Sequence, residues 1–149
     1  MASQGKAEGL YGFERLKKVV DQVTKPTSNG GTHFCERTTS KQLLNFIRGE
    51  LDEVEQELEK CASHPNSVRD LASELGDVLF DTLLLVSKCS RDFSSESLSL
   101  NSVAHAAALK VERRCPYVFK GDSSTKLPSL EAERIAWRAA KEKEKCERE

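Results

Sequence analysis

Hydrophobic residues recur along this chain at intervals of three and four positions, the spacing of one face of an α-helix. The spacing predicts a first helix over residues 10–24, ending before Pro26. A second, longer helix is predicted to begin at residues 38–40, where a threonine or serine can cap it, and to end near Cys61. Its apolar positions form one stripe, which predicts packing along one side: Leu43, Ile47, Leu51, Val54 and Leu58.

The same spacing continues in the second half of the chain. A break at residues 63–66 precedes a third helix from Val68, which becomes apolar over a wide arc near its end and should be covered on more than one side. A serine-rich connector at 91–100 leads to an alanine-rich fourth helix that Pro116 stops. After a turn through Gly121, Pro128 and Ser129 indicate a last helix from Leu130 to about Cys146. No β-alternation or repeat is present, so the fold is predicted to be all-α.

Length and charge limit the number of domains and the classes of protein to which the chain can belong. At 149 residues the chain is predicted to form one domain, with a core at about 10–120 and a charged C-terminal helix at about 128–147. The 23 lysines and arginines nearly balance 24 acidic residues, which argues against a general binder of nucleic acid or membrane surfaces.

The cysteines and the first residues of the chain indicate the cellular compartment in which the protein is found. The five cysteines are spread out and include no Cys-x-x-Cys pair, as expected in a reducing environment. The opening residues lack the apolar core of a secretory signal, and no apolar run is long enough for a membrane span. We therefore expect a cytoplasmic protein.

Two acidic pairs stand beside the apolar stripes. Glu50 and Glu53 lie on the shoulder of the second helix, and Glu74 and Asp77 lie on that of the third. If these helices pack as an antiparallel pair, the shoulders can face each other. Carboxylates so placed raise one another's pKa unless cations neutralise them, and an oxygen-only set favours Mg²⁺, with Mn²⁺ as a substitute.

Each acidic pair alone is weak evidence, because the chain has 17 glutamates and a solvated helix face explains most of them. Gly76 makes the second pair less ordinary, since glycine costs roughly 1 kcal/mol against alanine within a helix. The presence of Gly76 suggests either tight packing or access to the helix surface at this position. Downstream, Lys110, Arg113 and Arg114 precede Pro116, and such a cationic cluster suits a polyanion. A nucleoside triphosphate with magnesium would satisfy both clusters.

The two acidic pairs, Phe93 and the segment from Lys110 to Phe119 together resemble the MazG nucleoside triphosphate pyrophosphohydrolases. The resemblance runs from about Leu10 to Lys141. It implies an all-α, MazG-like helical bundle whose four-helix core is completed by dimerisation, giving a homodimer or higher homo-oligomer. It also implies magnesium-dependent hydrolysis of NTPs or dNTPs to monophosphate and pyrophosphate, in nucleotide-pool sanitation.

The resemblance also assigns roles to individual residues. Either Glu50 or Glu53 would accept the proton of the attacking water. Arg113 would either assist in phosphate binding or pair with a neighbouring acid. The implied metal ligands are Glu50, Glu53, Glu74 and Asp77; the implied phosphate contacts are Lys110 and Arg114; the implied nucleotide contacts are Trp137 and Lys141.

The chain departs from the family pattern at two segments. Residues 33–36 lack the proline and tryptophan of the usual Cys-Pro-Trp-Asp, which leaves base selectivity open. Cys115 and Tyr117 replace the histidines of His-Pro-His, and Asp81 is an additional acid that could bind metal or support its ligands. Two alternatives stay open: a narrower pyrophosphatase acting on dUTP, dCTP or phosphoribosyl-ATP, and a non-catalytic helical dimerisation module.

Overall fold

The protein is described here from a computed structural model, which covers residues 4–64, 68–119 and 129–147, with side chains from residue 11 onward. Within these ranges every regular element is helical, which confirms the predicted all-α class. The predicted break at Pro65 and Asn66, the turn through Gly121 and the start at Pro128 lie outside the described residues.

The helices occur in the predicted order, with two short additions. Single 3-10 turns occupy Thr27–Asn29 and Glu96–Leu98. The spacing did not predict the two shortest α-helices, His33–Arg37 and Pro116–Phe119. The α-helices are α1 (Gln4–Val23), α2 (His33–Arg37), α3 (Ser40–Ser63), α4 (Val68–Asp92), α5 (Leu100–Arg114), α6 (Pro116–Phe119) and α7 (Leu130–Cys146).

Hydroxyl side chains fix where α3 and α7 begin. The Thr39 hydroxyl accepts from the backbone N–H of Gln42, whose side chain accepts in return from the backbone N–H of Thr39, so both ends of a capping box are present. Ser129 caps α7 by accepting from the backbone N–H of Ala132. Both starts agree with those predicted from the sequence.

The turn between α1 and α2 requires glycine. Gly30 adopts a φ of 81°, in the left-handed region that other residues rarely occupy. At Gly31 the limit is space, since a Cβ would lie 1.7 Å from the carbonyl oxygen of Lys25. This close approach brings Thr32 to the end of α1, where its hydroxyl donates to the carbonyl of Val23 and caps α2.

The core of the first hundred residues forms around α4. Both α1 and α3 pack against α4, as its wide apolar arc predicted. The buried residues of this core come from four helices: Val20, Cys35, Leu43 and Leu84.

Several apolar positions predicted to pack stay half exposed in the single chain. On α3, Leu43 and Val54 are buried, whereas Leu51 and Leu58 are 50% and 53% exposed. On α4, Leu75 is likewise 50% exposed. The predicted stripe on α3 is therefore correct as a helix face but is covered over only part of its length.

The chain packs as two units, residues 1–100 and residues 101–149. The second contains nearly all of α5 together with α6 and α7, and side chains of α5 and α7 contact each other within it. In the described ranges no helix combines the length and apolarity needed to cross a membrane. All five cysteines are free thiols.

Candidate active site

Three carboxylates from α3 and α4 converge in the first unit. Glu50 comes from the middle of α3, and Glu74 and Asp77 lie one turn apart on α4. One oxygen of each lies within 4.8 Å of the other two. Glu53, the fourth predicted ligand, lies outside this group and is exposed. We call Glu50, Glu74 and Asp77 the acidic group.

Burial and mutual repulsion destabilise the ionised forms of Glu50 and Glu74. Partial burial is the largest cause that raises the pKa of Glu50, followed by the charges of Glu53 and Asp77. The pKa of Glu74 is raised by the same three influences in the same order. Glu53 therefore acts on the acidic group electrostatically even though it lies outside it.

The acidic group fits a hard divalent cation. Among the described residues, no lysine, arginine or histidine forms an ion pair with Glu50, Glu74 or Asp77. Three oxygen donors with no nitrogen or sulfur among them suit Mg²⁺ or Mn²⁺ rather than Zn²⁺. The repulsion that raises the two pKa values is what a bound cation would relieve.

Further acids extend along both helices. Asp81, one turn beyond Asp77, has its pKa raised by burial and then by the charge of Asp77. On α3, Glu57 pairs with Lys60 through one oxygen, while its other oxygen is buried without a hydrogen-bond partner among the described residues. A Cβ at Gly76 would meet nothing within 4 Å, so packing among the described residues does not explain that glycine.

The cationic residues lie in the second unit, on α5. The guanidinium of Arg114 donates two hydrogen bonds to the carboxylate of Glu144, from Nε to Oε1 at 3.3 Å and from Nη2 to Oε2 at 2.7 Å. Its Cζ also lies 5.1 Å from the ring centroid of Trp137. Arg114 is thus held between an acid and an indole, both from α7.

The other predicted substrate contacts have different surroundings. Lys110 is half-buried and forms no ion pair with the described carboxylates. Arg113 is exposed, and its Nη2 lies 3.7 Å from Oε1 of Glu144, so it pairs with a neighbouring acid. Lys141 is exposed on α7. The half-buried Trp137 packs on Arg114.

An open pocket of about 260 Å³ lies beside Trp137, and Tyr117 is among the residues that line it. The Tyr117 hydroxyl donates a hydrogen bond to Sγ of Cys115 at 3.6 Å, and this bond is the largest cause that raises the pKa of Tyr117 to about 12. Tyr117 therefore stays protonated at neutral pH and cannot replace a histidine as a base there.

Glu144 is the functional candidate that the sequence did not indicate. Residues 141–145 alternate lysine and glutamate, which is typical of a solvated face, yet Glu144 is the one buried residue of α7 among those described. The available signal was its position seven residues after Trp137, which places both on one side of the helix.

The fold and the acidic group together define an all-helical protein with a carboxylate-only candidate metal site. A family profile described as the MazG nucleotide pyrophosphohydrolase domain matches residues 38–119, more than half of the chain. The chain therefore belongs to the MazG family, as its motifs indicated.

A solved structure supports this assignment. The crystal structure of a MazG-related protein from Thermotoga maritima is 26% identical, with a TM-score of 0.67, and the match covers 87% of this chain and 98% of that one. No curated protein matched the chain.

Proposed function

We propose that this protein hydrolyses nucleoside triphosphates, or their deoxy forms, to the monophosphate and pyrophosphate in a reaction that requires Mg²⁺ or Mn²⁺. Membership of the MazG nucleotide pyrophosphohydrolase family supports the reaction class. The observation that carries the proposal is the convergence of Glu50, Glu74 and Asp77 to within 4.8 Å, with no ion pair from any cationic side chain that the structure describes.

The acidic group would hold the cation, and a neighbouring acid would move the proton. A divalent cation bound there supplies a Lewis acid that polarises phosphate oxygens and lowers the pKa of water. Glu50, Glu74 and Asp77 would be its ligands. Glu53, one turn from Glu50 and exposed, is then the better of the two predicted proton acceptors, because its oxygens are not needed as ligands.

The basic residues would bind the phosphate chain. Lys110 and Arg114 lie one turn apart on α5, so both can contact the same polyanion and offset the charge that develops on the leaving pyrophosphate. Arg113 would add to the local positive charge. Trp137 and Lys141 would contact the nucleotide, the former from its position against Arg114.

We further propose that the active form is a homodimer or higher homo-oligomer. The half-exposed leucines of α3 and α4 support this proposal, since a second copy could cover them.

A substrate panel tests the reaction. Purified protein is incubated with each NTP and dNTP, and with dUTP and phosphoribosyl-ATP, in the presence of Mg²⁺, while pyrophosphate and orthophosphate are measured separately. We expect pyrophosphate, its loss on chelation, and its return with Mg²⁺ or Mn²⁺. Turnover of dUTP, dCTP or phosphoribosyl-ATP alone would identify the narrower pyrophosphatase. Orthophosphate alone, or no product from any substrate, would contradict the proposal.

Replacing one ligand tests the acidic group. Asp77→Asn keeps the shape of the side chain but removes one charge from the group, so turnover should fall roughly 100-fold or more, as it does when one preorganised electrostatic group is lost. Asp52→Asn is the matched control, because Asp52 is exposed on α3 and lies outside the group. Equal activities of the two variants would show that Asp77 is not required.

A further inference from the structure

Arg114 is largely buried and is held by contacts with side chains of α7. Glu144 is only 9% exposed, and the side chain of Arg114 is 15% exposed. The two ends of this contact are thirty residues apart in sequence. A glutamate this buried is tolerated when its carboxylate is paired, and here both oxygens accept from Arg114.

The geometry of the pair leaves part of the guanidinium available. A guanidinium carries five N–H donors in a rigid plane. Glu144 accepts from Nε and from Nη2, which uses one edge of that plane. The hydrogens of Nη1 and the remaining hydrogen of Nη2 point along another edge, which can still bind a phosphate oxygen. Glu144 therefore fixes the arginine without using all its donors.

Trp137 restricts the same guanidinium from its face. With Cζ of Arg114 at 5.1 Å from the ring centroid, the indole limits motion out of the plane, whereas Glu144 limits motion within it. A long side chain held in both directions loses little further entropy when it binds a ligand.

We propose that Glu144 is a positioning residue that holds Arg114 in the orientation in which its free edge binds the pyrophosphate part of the substrate. This inference rests on the proposed function, in which Arg114 contacts phosphate. It adds to that function a residue on α7 that acts through Arg114, which donates to both of its carboxylate oxygens, whereas Arg113 lies further away at 3.7 Å.

Glu144 could instead compete with phosphate for Arg114, and its replacement would then change the affinity for anions in the opposite direction. If the carboxylate competed with phosphate for Arg114, removing its charge would make the site more positive and strengthen anion binding. If it positions Arg114, removing its charge weakens binding despite that electrostatic gain. The direction of the change therefore decides between the two.

The test uses the full chain and methylenediphosphonate, a base-free pyrophosphate analogue that cannot be hydrolysed, titrated calorimetrically with Mg²⁺ present. Glu144→Gln should weaken binding about tenfold, the lower end of the range for loss of a charge-assisted hydrogen bond. Glu142→Gln is the matched control, since Glu142 carries the same charge on α7 but is exposed and pairs with Lys145. Its binding should stay within about twofold of the parent chain. Unchanged or tighter binding by Glu144→Gln would overturn the proposal.

A double-mutant cycle separates positioning from a role in the fold. Arg114→Lys keeps the charge but loses the planar fork, so adding Glu144→Gln to it should weaken binding less than about twofold. A full tenfold loss in that background would show that Glu144 does not act through Arg114.

If Glu144→Gln unfolds, as measured by circular dichroism, Glu144→Asp replaces it, and binding no weaker than that of Glu142→Gln is then expected.

The pyrophosphate-release assay on the unmodified chain distinguishes failure of the proposed hydrolase function from failure of the positioning role of Glu144. Failure to cleave any nucleotide would remove the proposed function, while the diphosphonate titration would still measure whether Glu144 governs anion binding through Arg114.

Discussion

At the scale of single residues, the acidic group opposes the folded state when it is empty of cations. The pKa values of Glu50 and Glu74 lie above their ordinary value of 4.5, mainly because of burial and then because of neighbouring charges. The folded chain thus binds protons at these residues more tightly than the unfolded chain does. Without divalent cations, their contribution to stability falls as the pH rises from about 4.5 through the raised values.

This repulsion predicts that Mg²⁺ stabilises the fold in a pH-dependent way. Thermal unfolding followed by circular dichroism should show a clear rise in Tm on addition of Mg²⁺ at pH 7 and little rise at about pH 4, where protons occupy the carboxylates. Glu74→Gln should raise Tm at pH 7 without Mg²⁺ and reduce the response to Mg²⁺.

Glu55→Gln serves as the control for that experiment, because Glu55 is exposed on α3 and lies outside the acidic group. It should respond to Mg²⁺ as the parent chain does. An equal response from Glu74→Gln would mean that the stabilising cation binds elsewhere.

The positions of the acidic residues could be predicted from sequence, but the environment of Arg114 could not. Glu50, Glu74 and Asp77 follow from helical periodicity on two helices that pack against each other. The contact between Arg114 and Glu144 joins residues thirty positions apart on two different helices, and local spacing carries no information about such a contact. Glu53 lies on the same predicted shoulder but outside the acidic group, because spacing along a helix does not fix the rotamer of a side chain.

At the scale of elements, one polar contact ties the start of α3 to the end of α4. The Ser40 hydroxyl donates to Oδ2 of Asp92 at 2.8 Å, and Nζ of Lys88 lies 3.3 Å from the other oxygen. The Ser40 hydrogen bond is the largest cause that lowers the pKa of Asp92. The carboxylate also lies near the positive end of the α3 dipole, which favours its charge.

Removing this contact should lower stability at neutral pH only. Because the folded pKa of Asp92 is below its ordinary 3.8, its contribution is present above that value and is lost as the pH falls through the folded pKa. Asp92→Asn should therefore cost about 0.5 kcal/mol at pH 7, a small figure because the carboxylate is 38% exposed, and nothing near pH 2.

Urea denaturation at both pH values measures the effect of Asp92→Asn. Asp21→Asn, at an exposed position on α1, is the control and should be neutral throughout. An equal loss at both pH values would attribute the effect to packing rather than to charge.

Long helices were predictable from the sequence and short ones were not. The ends of α7 agree with the apolar spacing and with its serine cap. The five residues of α2 and the four of α6 are too few to show a period. Pro116 ends α5, as expected, but also begins α6, since proline is tolerated at the first position of a helix.

At the scale of the whole molecule, the chain leaves much apolar surface uncovered. In the described ranges, five hydrophobic residues are buried, while eighteen large ones are exposed. On α3, Leu44, Leu51 and Leu58 stand seven residues apart, so they form an exposed row on one side of the helix. The predicted stripe on α3 included Leu51 and Leu58 but not Leu44, and the spacing does not encode the partner that would cover the row.

We predict that a second copy covers this row. Sedimentation at micromolar concentration should show a dimer or larger species, and Leu51→Glu should shift it towards the monomer because a charge cannot be buried there unpaired. Ile135→Glu, at an exposed position on α7, is the control and should leave the assembly unchanged. A monomeric parent chain would contradict both the assembly and the predicted four-helix core completed by dimerisation.

Trp137 is the only tryptophan in the chain, and it lies against Arg114. All indole fluorescence of this protein therefore originates beside the guanidinium proposed to bind phosphate. Emission intensity and wavelength offer a label-free optical signal of changes at that arginine, and stopped-flow recording could follow such changes in real time.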